Sequence, residues 1–327
     1  TVRRIENKLG IKGSPTAELV FNNAPAQLVG DRKLGLIKYV MSLMNGARLG
    51  VGAQSVGLAE AAYREAVKYA NEREQFGKAI INFPQVYEML ANMRAKTDAI
   101  RTLLYETARS VDMYKSLEAI SRERKLENDE RATLKTYSRL ADALTPMLKL
   151  FSSEYANQIT YDCIQVHGGS GFMKDYACER FYRDARILTI YEGTSQLQVV
   201  AAIRGVVSGA YVARIKEYEA IEVRDELKPL RQTLISLREA FEQCYEKVKE
   251  FGSSSEAFDF NSRRLVEIAG YLIMGNLLVN DANKDEMFTK SARIMTKIAQ
   301  AEIEKAITYI NNFDASILED YKSLIAE

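Results

Sequence analysis

The sequence predicts a mainly α protein, with a four-helix bundle, a second helical bundle after it, and a short β remnant at the N-terminus. Three observations carry this. Apolar residues recur at three- and four-residue steps from about Leu34 onward. β-favouring residues bounded by turn residues are confined to the first stretch. After Gly205 and Gly209 an alternating four–three spacing marks another set of packed helices. The expected organisation is 1–32 for the β remnant, 33–209 for the first helical domain and 210–327 for the second.

In order along the chain, Glu18-Leu19-Val20-Phe21 reads as one strand, with Gly13-Ser14-Pro15 before it and Asn22-Asn23-Ala24-Pro25 after it. A lone strand is unstable in water, so its partners are expected outside this stretch of chain. The first helix carries a stripe of Leu49, Ala53, Val56, Ala59, Tyr63, Ala66 and Ala70. Gly46, Gly50, Gly52 and Gly57 lie in it. Each glycine costs a helix roughly 1 kcal/mol against alanine, so a helix or ligand is expected to approach closely there. A second helix is predicted from near Val86 to Tyr114, and Ser121–Glu130 is predicted as a connection. A third runs through Leu140, Leu144, Leu148 and Phe151 towards Ile159, with Pro146 predicting a kink. A fourth covers Tyr182–Ile187, breaks around Gly193 and resumes through Leu197, Val200 and Ile203. In the second domain, Leu230, Leu234, Leu237, Phe241, Cys244 and Val248 form a lengthwise seam. Leu265–Leu272 and Ser291–Ile310 mark two further helices, enough for an up-down bundle.

Composition narrows the function. The chain has 327 residues, 45 basic and 44 acidic, for a formal charge of +1. That balance gives no sign of an extended basic surface for nucleic acid or an anionic membrane. No apolar run approaches the ~20 residues of a membrane span. Cys163, Cys178 and Cys244 make neither a disulfide framework nor a recognised metal spacing, which suits a reducing compartment.

Three segments interrupt the helical pattern with glycine, polar and aromatic residues together: Asn71–Lys78, Gln165–Phe172 and Tyr191–Gln196. Gly77 reads equally well as a helix C-cap or as part of a ligand site. The Gln165–Phe172 loop lacks the spacing of a phosphate-cradling motif, yet exposes backbone N–H groups to a carbonyl or phosphate. His167 is the only histidine, and a lone histidine beside glycines is more often structural. Glu192 precedes Gly193 at a helix break, where an acid can be desolvated for general-base work. A glutamate before a glycine is also commonly a surface residue. From these residues alone the chain is a helical protein with a ligand site of open identity.

Taken together and in this order, these segments resemble the acyl-CoA dehydrogenases. The resemblance begins at Gly10-Ile11-Lys12-Gly13-Ser14-Pro15, similar to the end of that family's middle β-domain. It continues through Asn45-Gly46-Ala47-Arg48, Arg73–Lys78, Gln165–Phe172, Arg183-Asp184-Ala185 and Tyr191–Gln196. It covers about two-thirds of the chain; the rest is similar to the extra helical domain of longer members. The resemblance implies FAD as cofactor and Glu192 as the base that removes the α-proton of an acyl-CoA thioester. The β-hydrogen then passes as hydride to flavin N5, giving a trans-2-enoyl-CoA. It implies FAD contacts at Arg73, Gln75, Phe76, Gln165, Gly168, Gly169, Thr194 and Gln196. It also implies a substrate channel lined by Asn45, Arg48, Tyr191 and Gly193. Ala47 stands where some members carry the base, which favours Glu192. Pro84 stands where many relatives have a flavin-binding glutamine.

Further expectations follow from the same resemblance. The electron acceptor would be an electron-transfer flavoprotein, the assembly a homodimer or tetramer, and the location cytoplasmic, or the mitochondrial matrix in a eukaryote. The start at Thr1-Val2-Arg3-Arg4 suggests a truncated and inactive piece of a longer enzyme. The alternatives are a helical dimerisation module without catalysis, or an acyl-CoA oxidase of the same fold.

Overall fold

The computed structural model describes residues 1–252 and 255–326, apart from the side chains of residues 36–38, 41, 42 and 45. It is mainly helical, as expected, and divides into two compact units. The first comprises Thr1–Met93 and Ser152–Thr194, and the second Arg94–Phe151 and Ser195–Glu327.

In the first unit, β1 (Val2–Ile5) pairs antiparallel with β2 (Ala17–Leu19), with an irregularity between Val2 and Arg4. The predicted strand therefore finds a partner about fifteen residues upstream in this same chain. Two exposed strands are marginal alone. The ribbon is anchored by the Ile11 N–H, which donates to Asp184 Oδ1 at 2.6 Å, and by Arg183, which donates to the Leu9 carbonyl at 3.1 Å. Gly10 permits this approach, because a Cβ there would stand 2.4 Å from the Arg183 carbonyl oxygen.

Helix α1 (Met41–Glu72) buries Val51, Ser55, Val56, Ala59, Ala62, Ala66 and Ala70. The stripe is rotated from the expected one: Ala53 is exposed and Tyr63 half-buried, while Ala62 is fully buried. Small side chains let α1 lie close to α4 (Cys178–Ala185), its neighbour in this unit. The glycines at 46, 50 and 57 do not mark such an approach within the chain. A Cβ at any of them would meet open space.

After α1 a hairpin of β3 (Glu74–Gln75) and β4 (Lys78–Ala79) turns on Phe76 and Gly77, at φ 50° and 80°. This two-residue turn with positive φ at both positions replaces the expected helix cap. The helix itself ends at Glu72 with Arg73 extended.

Helices α2 (Pro84–Glu123) and α3 (Asn128–His167) are 40 residues each and run from one unit into the other. α3 continues through Pro146. A 3₁₀ turn at Gly168–Phe172 follows α3, and another at Arg186–Thr189 follows α4. The Asn157 amide donates to the Ala185 carbonyl at 2.8 Å, satisfying the end of α4.

The second unit holds α5 (Ser195–Val207), α6 (Ala210–Glu219), α7 (Lys228–Lys249), α8 (Glu256–Lys284), α9 (Thr289–Asn311) and α10 (Ile317–Leu324). Its centre is α8, packed against α5, α6, α7 and α9. By length and composition α8 is apolar enough to cross a bilayer, contrary to the sequence expectation, yet 83% of its apolar window is buried by the rest of the protein. It is a core helix. The α7 seam buries Leu234, Leu237, Phe241, Cys244 and Val248 as predicted, and adds Arg231 and Arg238, which the apolar pattern does not reveal. Arg231 donates to the side-chain oxygens of Asn276 and Asn280. Arg238 is paired with Glu219 at 2.9 Å. Gly270 and Gly275 on α8 receive the Phe151 ring and the Leu234 side chain, where a Cβ would intrude at 2.0 and 2.8 Å.

Candidate active site

The first unit places Glu192 in the break between the 3₁₀ turn at Arg186–Thr189 and α5. Its backbone is left-handed (φ 58°), and Gly193 follows at φ 92°. A non-glycine residue held there costs of order 1–3 kcal/mol and persists only where its surroundings over-determine it. One such constraint comes from α1. Arg48 Nε donates to the Glu192 carbonyl oxygen at 3.4 Å, joining residues 144 apart in sequence. Burial lowers the Arg48 pKa, and the Glu192 charge nearby works against that. Tyr191 donates its hydroxyl to Gln54 on the same helix. Burial, with the Glu192 charge adding to it, pushes the Tyr191 phenol upward. Arg48, Gln54, Tyr191, Glu192 and Gly193 therefore form one cluster around an acid at a strained turn. Gln54 is the member that sequence reasoning missed. It lies about two and a half helical turns from Asn45 and six residues beyond Arg48, with no motif to flag it. The Asn45 side chain lies outside the described residues.

The second group of predicted residues is displayed outward. Arg73, Gln75 and Phe76 are all exposed, Phe76 to 93%. The Arg73 carbonyl accepts from the Ile80 N–H at 2.9 Å and closes the hairpin, which presents Phe76 at its tip. Gln165, Gly168 and Gly169 are exposed at the end of α3, and Gly168 is left-handed at φ 59°. Phe172 at the end of the same turn is 80% exposed. α1 and this loop are tied by Tyr69, whose hydroxyl donates to Ser170 Oγ at 3.2 Å and whose ring stacks on His167 at 4.2 Å. A permanently charged guanidinium, an uncovered aromatic face and an amide form a donor set suited to a phosphate-bearing ligand with a flat ring system. Thr194 closes the first unit and Gln196 is exposed in the first turn of α5.

Comparison with known proteins places these features in a family. The description "Acyl-CoA dehydrogenase, C-terminal domain" matches residues 37–206, and "Acyl-CoA dehydrogenase C terminal" matches residues 207–318. The chain belongs to the acyl-CoA dehydrogenase family. It is 40% identical over 209 residues to the acryloyl-CoA reductase (NADH) of Anaerotignum propionicum, a match covering 63% of this chain and 47% of that protein. It is 36% identical over 197 residues to the caffeyl-CoA reductase-Etf complex subunit CarC of Acetobacterium woodii, covering 59% and 45%. The chain thus spans about half the length of these curated relatives. Among solved structures, an acyl-CoA dehydrogenase from Bacillus anthracis complexed with FAD superposes with a TM-score of 0.75 at 26% identity, over 99% of this chain and 59% of that one. The Caenorhabditis elegans protein ACDH-11, in complex with C11-CoA, shares the fold with a TM-score of 0.76 at 23% identity, over 96% and 55%.

Proposed function

We propose that this chain carries the proton-abstracting centre of an FAD-dependent acyl-CoA α,β-dehydrogenation, with Glu192 as the general base. The observation that carries the proposal is the left-handed Glu192–Gly193 turn, fastened to α1 by Arg48. Strain of this kind collects where a side chain must be aimed. Gly193 leaves the backbone beside the acid without a Cβ, so a thioester can lie against it. The Glu192 carboxylate takes the α-proton, and backbone N–H groups are of the kind that stabilise charge on a thioester oxygen. Arg48 acts as a positioning residue for the Glu192 backbone.

The cofactor fits the residues present. Arg73, Gln75, Phe76, Gln165, Gly168, Gly169 and Thr194 would hold FAD, with Arg73 toward its phosphates. When bound, FAD supplies the acceptor for the β-hydride. The exposed aromatic at a strained hairpin tip supports this assignment, since water gives no reason to hold Phe76 there. The substrate is an acyl-CoA. An electron-transfer flavoprotein is the redox partner that the CarC relative's name supports. A homodimer or tetramer is the expected assembly, with domains at 33–209 and 210–327.

Relatives named as reductases support a second direction for the same chemistry, in which Glu192 returns a proton to the α-carbon of an enoyl-CoA. Anaerobic mixing of the intact protein with acyl-CoA distinguishes the cases. Flavin bleaching that Glu192→Gln slows by about 10²–10⁴-fold fits the proposal. Reoxidation of reduced flavin by enoyl-CoA, with the same dependence on Glu192, fits the reductive direction. Peroxide formation in air points to an oxidase. Absence of bound flavin from the intact protein leaves only a helical interaction module, and unimpaired bleaching in Glu192→Gln removes Glu192 from the chemistry.

A further inference from the structure

We propose that Cys163, His167 and Cys178 form a binding site for a divalent cation of zinc type. The sequence separates them, but the fold does not. Cys163 and His167 lie one turn apart on the same face of α3, and Cys178 opens α4. One ligand atom from each lies within 4.8 Å of the others, and all three residues are buried. The cysteines are wholly buried and His167 is 3% exposed.

The histidine is the informative member. Its Nδ1 is 2.7 Å from the Cys163 carbonyl oxygen. A carbonyl only accepts, so Nδ1 carries the proton and Nε2 is left with a bare lone pair. That Nε2 is buried and has no hydrogen-bond partner. Buried polar atoms are nearly always satisfied, and an orphan calls for an explanation. A ligating imidazole characteristically donates its other N–H to a backbone carbonyl, which fixes the tautomer. That is the arrangement here. The ring is also clamped, stacked on Tyr69 at 4.2 Å and met edge-on by Tyr176 at 5.5 Å.

The surroundings favour a cation. Cys178 Sγ donates to the Gly171 carbonyl at 3.4 Å. Gly171 folds so closely over His167 that a Cβ there would lie 2.8 Å from the His167 Cβ. The site is therefore closed by the glycine loop. Two thiolates and a neutral imidazole around a doubly charged ion sum to zero, the cheapest charge state in a dry pocket. Sulfur and imidazole donors select zinc over magnesium or calcium. Binding releases two thiol protons to solvent and moves no electrons. The site owes nothing to the flavin assignment, and either can fail without the other.

Cobalt(II) is the probe. The intact protein, stripped with chelator and titrated with Co²⁺, is expected to take up one ion per chain. It should show thiolate-to-cobalt charge transfer and d–d bands to the red of oxidised flavin, both erased by Zn²⁺. Cys163→Ser and Cys178→Ser should each abolish the charge-transfer bands, and His167→Gln should weaken binding at least tenfold. Cys244→Ser, which alters the buried cysteine of α7, should change nothing. Circular dichroism checks that each variant is folded. A wild-type titration without thiolate–cobalt bands overturns the proposal with no variant needed. So do bands that survive in the Cys163→Ser/Cys178→Ser double variant, or that vanish in Cys244→Ser.

Discussion

The two units solve opposite problems with the same helical vocabulary. The second unit ties several of its buried polar groups into hydrogen bonds. Asp98, nearly fully buried, accepts from Arg94 at 2.8 Å, Arg101 at 2.9 Å and Ser291 at 2.7 Å. Tyr211 is wholly buried, with its hydroxyl on the Ala143 carbonyl at 2.6 Å. The first unit does the reverse. It exposes Phe76 and Phe172, and it holds Ile11, Asn23, Lys33, Phe76 and Glu192 in left-handed backbone. A unit whose residues are strained and uncovered is shaped for something other than its own stability. The contrast singles out the residues where local rules are broken as the ones to test for function.

The comparison can be sharpened by variants, beginning with the largest effect. Arg231→Ala should destabilise the second unit by about 2–4 kcal/mol, because it strands the buried oxygens of Asn276 and Asn280. Urea titration measures this, and a change below about 1 kcal/mol would show the buried network to be dispensable. Gly270→Ala should cost about 1–3 kcal/mol by forcing Phe151 from its seat. An unchanged midpoint would mean that the ring moves freely. In the first unit the sign should reverse. Phe76→Asn relieves the turn and should raise apo stability by up to about 1 kcal/mol while lowering FAD retention. If stability and retention move together, Phe76 serves the fold and not the ligand.

The smallest effect is a pH dependence in the second unit. Burial alone would raise the pKa of Glu106, but hydrogen bonds and charges from Arg214 and Arg109 outweigh it and hold the carboxyl below its usual range. Tyr218 also donates to it at 2.9 Å. A carboxyl depressed in the folded state adds stability above its unfolded pKa and loses it as pH falls through the folded value. Glu106→Gln should therefore lower the melting temperature at neutral pH, and the gap should close as pH falls below about 4. A gap that is constant with pH would contradict the assignment.

Much of this was legible in the residues. The α7 seam, the break at Gly193 and the helical order follow from periodicity, because apolar burial dominates there. The α1 stripe was misplaced because alanines and glycines on several faces blur the phase, and only burial in the fold selects Ala62 over Tyr63. The Phe76–Gly77 turn was hidden because phenylalanine is a poor sign of positive φ. The β1 partner was missed because Val2-Arg3-Arg4-Ile5 carries no strong strand pattern. Buried arginines are invisible to any apolar template. The sequence reading found no metal spacing among the cysteines, because Cys178 joins Cys163 and His167 only through the turn that brings α4 back to α3. The predicted FAD and substrate residues were placed by family resemblance, and Gln54, outside every motif, came from structure alone.

The account rests on Glu192 taking a proton from the carbon beside a thioester. An acyl-CoA analogue that cannot lose its β-hydrogen isolates this step from the redox chemistry. Incubated with the intact protein in deuterated water, it should exchange its α-hydrogen, and Glu192→Gln should slow that exchange by at least about 100-fold. Equal exchange rates in the two proteins would contradict the account.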